Sequence, residues 1–424
     1  MNKQSNFSKI PVRRPWLFIP TLYFAEGLPY IIVNAVSVVL YKNFDVSNKV
    51  IGLTSILMWP WVIKMLWAPF VDTHSTKRNW IIFMQICIGM GLIMLAGVLK
   101  LSAFLFSSLI IFLLIAFFSA THDIAIDGFY MLTLDKKMQA FYVGVRSTFY
   151  RISIIFGSGL LVVLAGNLQK NLNNMVLSWQ IVIAFAGFLF IIAFLFHRFY
   201  LPYPVTDIPG KSLVLRESFL EIFASYLKQK KIIPIIIFIL VYRLGEAVLE
   251  KMSPAFMLDK PEAGGLGLST ETFGLVKGTV GVISLTVGGL LGGWLISKFG
   301  LKKCIWPMAL MLKIPDFVYV YMSIQKPGML MIYLLVAFEQ FGYGIGFTAF
   351  MVFLMYIAKG RYKTSHYAIS TGIMALGMMI PGMLSGFLQS ALGYTKFFIL
   401  VVFLTIPGLV ALFFIPLDTP NQKG

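Results

Sequence analysis

The sequence is poor in charge, and above all in negative charge. Only 12% of its 424 residues are charged, and 17 Asp and Glu residues stand against 35 Lys and Arg residues. Soluble domains carry about 25% charged residues, whereas 58% of this chain is hydrophobic and its mean hydropathy is +0.85. The composition excludes a soluble globular protein and indicates a chain that crosses a membrane many times.

Other scarce features narrow the class further. The two cysteines, Cys87 and Cys304, both lie in apolar runs, which argues against a disulfide framework. No Gly-x-x-x-x-Gly-Lys-Ser/Thr sequence occurs, so the chain is not expected to drive transport with ATP. The basic residues lie in alternate loops rather than in one patch, which argues against nucleic-acid binding. No pattern indicates a cofactor, a metal site or a catalytic group.

Twelve apolar runs are long enough to cross a bilayer at about 20–25 residues each. A polar interval at 198–231 divides them into six and six, which predicts an all-α membrane protein with halves at 1–197 and 232–424. Within the interval, Leu213–Lys228 has the pattern of an amphipathic helix on the cytoplasmic surface. The runs lie near 17–40, 50–70, 80–99, 104–134, 140–166, 176–197, 232–258, 271–297, 304–323, 329–357, 364–390 and 394–416.

The distribution of basic residues predicts the orientation. Most of the 35 Lys and Arg residues fall in the termini and loops of one side, and cytoplasmic loops are the ones enriched in these residues. We therefore expect a multi-pass protein of the cytoplasmic (inner) membrane, with both termini in the cytoplasm.

Two short basic loops, six spans apart, resemble each other. Gly292–Cys304 fits Gly-x-x-x-Asp-Arg-x-Gly-Arg-Lys, the loop signature of the major facilitator superfamily, with Ser297 at the Asp position. Leu66–Trp80 keeps an acid and a basic pair but lacks the glycines. Such a duplication predicts two pseudo-symmetric six-helix halves around a central cavity. We interpret five charged residues of these loops as gating elements: Asp72, Lys77, Arg78, Lys298 and Lys302.

The most unusual intramembrane stretch is Ala116–Thr133. Placing one carboxylate at mid-bilayer costs about 2.5–3.5 kcal/mol, yet Asp123 and Asp127 lie on one helical face together with His122 and Tyr130. Two acids on one face require polar partners from other helices around a water-filled cavity. The stretch therefore predicts a transport pathway.

Further polar residues lie in other predicted spans. Spans 1 and 7 each combine acids with a proline, at Pro29 and Pro254, and are expected to be kinked. Because burial disfavours the charged form of a carboxyl group, we predict proton carriage by four acids: Asp123, Asp127, Glu26 and Glu246. The predicted substrate-binding residues are Tyr23, Tyr30, Asn34, His122, Tyr130, Arg151, Arg243, Glu250, Lys277, Glu339 and Gln340.

Structural and chemical alternatives stay open. Lys313 and Asp316 have the spacing of an ion pair within one helix, and Arg243 could neutralise Glu246 in the same way. His122 and Asp127 have the H-x4-D spacing of membrane acyltransferases. About 140° separates these two side chains on a helix, which disfavours a His–Asp hydrogen bond, and no second acyltransferase block is evident. A transporter, not an enzyme, is therefore expected.

An ordered set of blocks resembles the AmpG-type permeases of the major facilitator superfamily, which are related to the acetyl-coenzyme A transporter family. The blocks are Leu22–Tyr30, Leu66–Asp72, Ser119–Phe129, Tyr150–Leu160, Tyr242–Ala247, Ala337–Phe350 and Pro407–Phe414.

The resemblance implies a monomer that imports anhydro-muropeptides together with protons. By block, Asp123 and Asp127 match the family's span-4 acids, and Arg151 matches its span-5 Tyr-Arg. Glu246 and Glu339 match acids of spans 7 and 10, whereas Glu26 and His122 depart from the family pattern. A permease for a siderophore, an oligosaccharide or a drug is the alternative.

Overall fold

The computed structural model describes residues 15–204, 207, 215–358 and 363–417, and all regular elements among them are helical. Eleven segments have the length and hydropathy of membrane spans. The last of them turns at Gly393, whose φ of 70° is non-helical and is tolerated because glycine has no Cβ. It therefore contains two spans, and the prediction of twelve is confirmed. The segments are Pro15–Asn43, Asn48–Leu66, Lys77–Val98, Phe104–Thr133, Phe141–Leu172, Met175–Tyr200, Ile232–Leu258, Thr270–Phe299, Leu301–Gln325, Met329–Ile357 and Ser365–Ala411.

Shorter helices lie between or beside the spans. Ala68–His74 follows span 2, and the helix of span 5 begins at Lys136, before the apolar part. A helix at Leu215–Leu227 lies in the connection between spans 6 and 7. It overlaps the segment 213–228 that is predicted to form an amphipathic helix on the cytoplasmic surface, of which residues 213–214 lie outside the described ranges.

Several spans are irregular at their middle. Wide π-helical turns interrupt span 1 at Ile32–Val36, span 5 at Ile155–Leu161 and span 8 at Gly274–Gly281. In span 1 the irregular turn follows Pro29, which cannot donate a backbone hydrogen bond. π-Helical turns occur frequently at functional sites.

Span 7 breaks at a different place from the one that its proline predicts. Its helix stops at Val241, resumes at Leu244 and then runs unbroken through Pro254 to Leu258. At the break, the backbone carbonyl of Tyr242 accepts a hydrogen bond from Lys313 of span 9. A lysine from another helix therefore satisfies a carbonyl at the break, which the sequence of span 7 alone does not show.

We call the side of the bundle where span 1 begins, at Pro15, the N-terminal face, and the side where it ends, at Asn43, the far face. The two halves are joined at the far face. Asn48 of span 2 donates to Gln389 (2.8 Å) and Tyr394 (2.9 Å) of the C-terminal half, and Lys42 pairs with Asp259. Polar contacts between the halves therefore seal this side of the membrane.

The middles of spans 5 and 8 also touch closely across the two halves. A Cβ added to Gly278 would lie 1.9 Å from the backbone oxygen of Ser158. Only glycine permits this approach of the two backbones. The contact continues the seal from the far face toward the middle of the membrane.

At the N-terminal face, the loop between spans 2 and 3 is fastened to the end of span 6. Lys77 pairs with Asp72, and Arg78 donates to the backbone oxygen of Leu201 at 3.1 Å. The backbone N–H of Lys77 donates to Asp207 of the connection at 2.7 Å. In the equivalent loop of the C-terminal half, Lys298 and Lys302 are exposed.

Replacement of Gly278 by alanine is expected to lower the melting temperature of the purified protein in detergent. The added methyl group meets backbone, which cannot rotate away, and overpacking of this kind costs about 1–3 kcal/mol. Gly97→Ala is the matched control, because its Cβ would meet nothing within 4 Å. Equal melting temperatures for the two variants would contradict the close approach of spans 5 and 8.

Candidate functional site

The span-4 acids face spans 1, 2 and 5. Asp123 accepts hydrogen bonds from Trp61 Nε1 at 3.1 Å and from Lys64 Nζ at 3.4 Å, both on its Oδ2. Its Oδ1 is buried and has no hydrogen-bond partner among the described residues. Lys64 therefore neutralises Asp123 but leaves half of the carboxylate unused.

Asp127 forms a triangle with Tyr23 and Arg146. Tyr23 donates to Asp127 at 3.3 Å, and Arg146 lies 3.3 Å from the same oxygen and donates to the Tyr23 hydroxyl at 3.1 Å. The guanidinium also lies over the rings of Tyr23 and Tyr130. The Asp127 side chain is 43% exposed and that of Arg146 is 36% exposed. The charged groups of this triangle are therefore partly exposed rather than enclosed within the protein.

Arg146 was not among the predicted site residues. It lies five residues before Arg151, near the start of the predicted run 140–166 and in the least apolar part of span 5. The helix of span 5 begins at Lys136, ten residues earlier, which carries Arg146 into the bundle. The only sequence signal was the spacing of two arginines five residues apart.

Glu26 of span 1 completes the group. It lies three residues after Tyr23, whose hydroxyl bonds Asp127 and Arg146. Its Oε2 is buried, and no hydrogen bond reaches it from the part of the chain that the structure describes. We call Glu26, Asp123, Asp127, Lys64 and Arg146 the N-terminal cluster. It holds three acids and two bases.

Two further arginines face the space between the halves. Arg243 donates to the hydroxyl of Tyr343 and lies 4.8 Å from the ring centroid of Phe347. Arg151 approaches span 8, where a Cβ on Gly289 would lie 3.5 Å from its guanidinium. Arg243 Nε and Arg151 Nη1 are buried and lack acceptors among the described residues. Both guanidinium groups therefore keep donors for an anionic or polar ligand.

Polar and aromatic groups complete the lining of this space. The ring of Tyr30 packs edge-on against Trp61 at 5.1 Å, and Asn34 donates to the backbone oxygen of Tyr30. Lys251 crosses from the C-terminal half to the backbone oxygen of Asn34 at 3.1 Å. Glu250, one turn beyond Glu246, is exposed.

The remaining predicted residues lie inside the C-terminal half. Lys277 donates to Glu339 at 3.1 Å and to Tyr319 at 2.9 Å, and Gln340 donates to both oxygens of Glu339. Glu246 pairs with Lys313 at 2.7 Å, and each side chain is only 3% exposed. Lys313 therefore bonds Glu246 of span 7 rather than Asp316. Arg243, the neighbour suggested for Glu246, bonds Tyr343 instead.

His122 lies apart from the span-4 acids. It is fully buried, and its Nε2 lies 3.1 Å from Gln85 Nε2. Gln85 in turn contacts His197, whose Nε2 lies 2.9 Å from the Thr21 hydroxyl. Adjacent helical residues point about 100° apart, so His122 faces spans 3 and 6 while Asp123 faces span 2.

Comparison with known proteins identifies the family. A model of the Major Facilitator Superfamily matches residues 21–359. The chain belongs to this superfamily. A solved structure of a bacterial homologue of the human lysosomal transporter Spinster, inward-facing and unoccupied, superposes with a TM-score of 0.73 at 15% identity, over 94% of both chains. This likeness confirms the predicted fold.

Similar sequences confirm the resemblance to the AmpG-type permeases. The anhydromuropeptide permease of Escherichia coli is 24% identical over 396 residues, which cover 92% of this chain and 77% of that one. An uncharacterized protein of Haemophilus influenzae is 25% identical over 416 residues, 94% of each chain. The protein is therefore a membrane transporter, and the space between its halves is the candidate binding site.

Replacement of Lys313 by methionine is expected to lower the melting temperature strongly. It leaves the buried Glu246 carboxylate without its cation, and breaking a buried pair costs about 3–5 kcal/mol. The double variant Lys313→Met/Glu246→Gln should recover most of the loss, because no buried charge then lacks a partner. Lys298→Met, at an exposed lysine, is the control. Additive losses in the double variant would show that the two side chains do not depend on each other.

Proposed function

We propose that this protein is a proton-coupled symporter that imports anhydro-muropeptides across the cytoplasmic membrane. The observation that carries the proposal is the N-terminal cluster, whose three acids share two bases and whose Asp127 and Arg146 are partly exposed. A group of this kind changes its proton content when a helix moves or a ligand approaches. The substrate class rests on the similarity to the Escherichia coli permease.

The proposed topology places both termini in the cytoplasm. The N-terminal face then faces the cytoplasm, and the far face, where Asn48 contacts Gln389 and Tyr394, faces the periplasm. The conformation described here is the one that exchanges solute with the cytoplasm. Residues 1–197 and 232–424 would move against each other as two bodies, joined by 198–231, within a monomer.

The lining suits a sugar that carries acidic groups. Arg151 and Arg243 have unused donors for carboxylates, and guanidinium groups bind carboxylates through two parallel hydrogen bonds. Tyr30, Tyr343 and Phe347 supply aromatic faces and edges for the apolar faces of a sugar ring. His122 is left out of this set because Gln85 and the interior of the N-terminal half enclose it.

Coupling follows from competition for the two bases. When Arg146 binds Asp127 and Lys64 binds Asp123, Glu26 is stable only in its protonated form, because an unpaired buried carboxylate is costly. A movement that separates Arg146 from Asp127 would leave a second acid in need of a proton. The proton content of the N-terminal cluster would therefore change as the protein alternates between its two open states.

The geometry around His122 bears on the acyltransferase alternative, and one uptake assay distinguishes the alternative solutes. His122 contacts Gln85 and shows no hydrogen bond to Asp127 among the described contacts, which gives no support to a His–Asp catalytic pair. A siderophore, an oligosaccharide or a drug would compete for uptake in the assay below if it were the true substrate.

The first test is uptake of radiolabelled anhydro-muropeptide into proteoliposomes that contain the full-length protein. An inward proton gradient is expected to drive accumulation above the external concentration, and a protonophore should abolish that excess. Liposomes without protein and liposomes with Gly278→Ala provide the controls. No uptake by protein that melts cooperatively would reject the muropeptide as substrate and leave the family assignment unchanged.

Asp127→Asn is expected to separate exchange from accumulation. The amide keeps the size of the carboxyl group but cannot bind or release a proton, so the gradient can no longer be used through this position. Counterflow of labelled for unlabelled substrate should persist, whereas gradient-driven accumulation should fall to the equilibrium level. Asp45→Asn, at an exposed turn residue after span 1, is the matched control. Loss of neither activity, or of both equally, would contradict a proton-carrying role for Asp127.

A further inference from the structure

A second group of charged side chains is buried inside the C-terminal half. Its acids are Glu246 of span 7, Asp316 of span 9 and Glu339 of span 10, and its bases are Lys277 of span 8 and Lys313 of span 9. We call these five residues the C-terminal cluster. Two ion pairs join four of them, Glu246 with Lys313 and Glu339 with Lys277, and Asp316 lies three residues after Lys313 on span 9.

Both lysines are already engaged. Lys313 contacts the two oxygens of Glu246 at 2.7 and 2.8 Å and also donates to the backbone oxygen of Tyr242. Lys277 divides its hydrogen bonds between Glu339 and the Tyr319 hydroxyl. With these bonds in place, two acids are neutralised and the third has no base of its own.

Asp316 is that third acid. It is 2% exposed, and its Oδ2 is buried without a hydrogen-bond partner within the described residues. An ionised carboxylate in this position would face Glu246 and Glu339 with no donor on one oxygen, and burial of such a charge is strongly unfavourable. A neutral carboxylic acid avoids both costs, so the charges of the C-terminal cluster balance when it holds one proton.

We propose that Asp316 is a proton-binding site of the C-terminal half, loaded in the conformation described here and separate from the span-4 acids. This proposal rests on the proposed proton-coupled transport. Asp316 lies three residues after Lys313 on the same face of span 9. If the break of span 7 at Tyr242–Arg243 moves Glu246 away, Lys313 becomes free to stabilise the Asp316 carboxylate.

The release step is balanced in charge. The O–H bond of the Asp316 carboxyl group breaks, the proton passes to a water molecule that reaches the site when span 7 moves, and the carboxylate that remains pairs with Lys313. Glu246, left without Lys313, would then turn to Arg243, which lies one turn before it on span 7 and has an unused Nε donor. The hinge of span 7 would therefore exchange the partners of two acids and two bases.

The decisive experiment needs no substrate. Infrared spectroscopy of the full-length protein in liposomes, titrated in pH, reports the C=O stretch of protonated carboxylic acids. Wild-type protein should show this absorption at neutral pH with contributions from Glu26 and Asp316, and Asp316→Asn should lose one component, which Glu26→Gln keeps. Asp127→Asn is the matched control, since it removes an acid of the other cluster and should keep the Asp316 band. A band unchanged in Asp316→Asn, or lost instead in Glu246→Gln, would overturn the proposal.

A second variant guards against a folding defect. Asp316→Glu keeps an ionisable group, and its acid band should persist at a shifted frequency, because the carboxyl group is displaced by one methylene. Asp316→Asn should also melt near the wild-type temperature, since a neutral amide replaces a neutral acid of the same size. A large drop in melting temperature for Asp316→Asn alone would show that Asp316 is charged and paired in the folded protein.

Transport assays connect the site to coupling. In proteoliposomes, Asp316→Asn should keep counterflow and reduce gradient-driven accumulation. If wild-type protein shows the acid band but does not take up anhydro-muropeptide, the proton site stands and only the assignment of the substrate fails.

Discussion

The structure depends on the cost of placing charge in a membrane. In each half, acids and bases from several spans form a cluster in which they neutralise one another, and each cluster has one acid in excess. Glu26 is left over in the N-terminal cluster and Asp316 in the C-terminal cluster. Because each lysine or arginine of the two clusters already has an acid partner, neither cluster can hold all three of its acids ionised without leaving one of them unpaired.

This shared imbalance explains why the polar interior is not fixed in one arrangement. A cluster with equal numbers of acids and bases can pair every charge in one arrangement, and a buried charge that leaves this arrangement loses its partner. With three acids for two bases, two pairings differ by the position of one proton and one ammonium or guanidinium group. Four of the eight spans that carry these groups, spans 1, 5, 7 and 8, contain a π-helical turn or a break.

The sequence predicts the membrane spans well because hydropathy reports the bilayer directly, one span at a time. It predicts polar pairing poorly, because partners come from helices far apart in the chain. Lys313 bonds Glu246, 67 residues away, although Asp316 is three residues away. Arg146 lies inside the predicted run 140–166 and was missed because its partners, Tyr23 and Asp127, come from spans 1 and 4. His122 was grouped with Asp123 by helical sector, yet 100° suffices to place it against another span.

Under the proposed coupling, the far-face seal explains why both clusters would be needed in a transporter that alternates between two open states. Asn48, Asp259 and Tyr394 fix the halves to each other on that side, so opening it requires new contacts at the N-terminal face to compensate. A proton site in only one half would bias that half alone. Because spans 1 and 7 each carry an acid of a cluster and each is irregular beside it, a change of protonation in either half acts on the helix that must bend. The two halves would then respond to protons by the same physical rule.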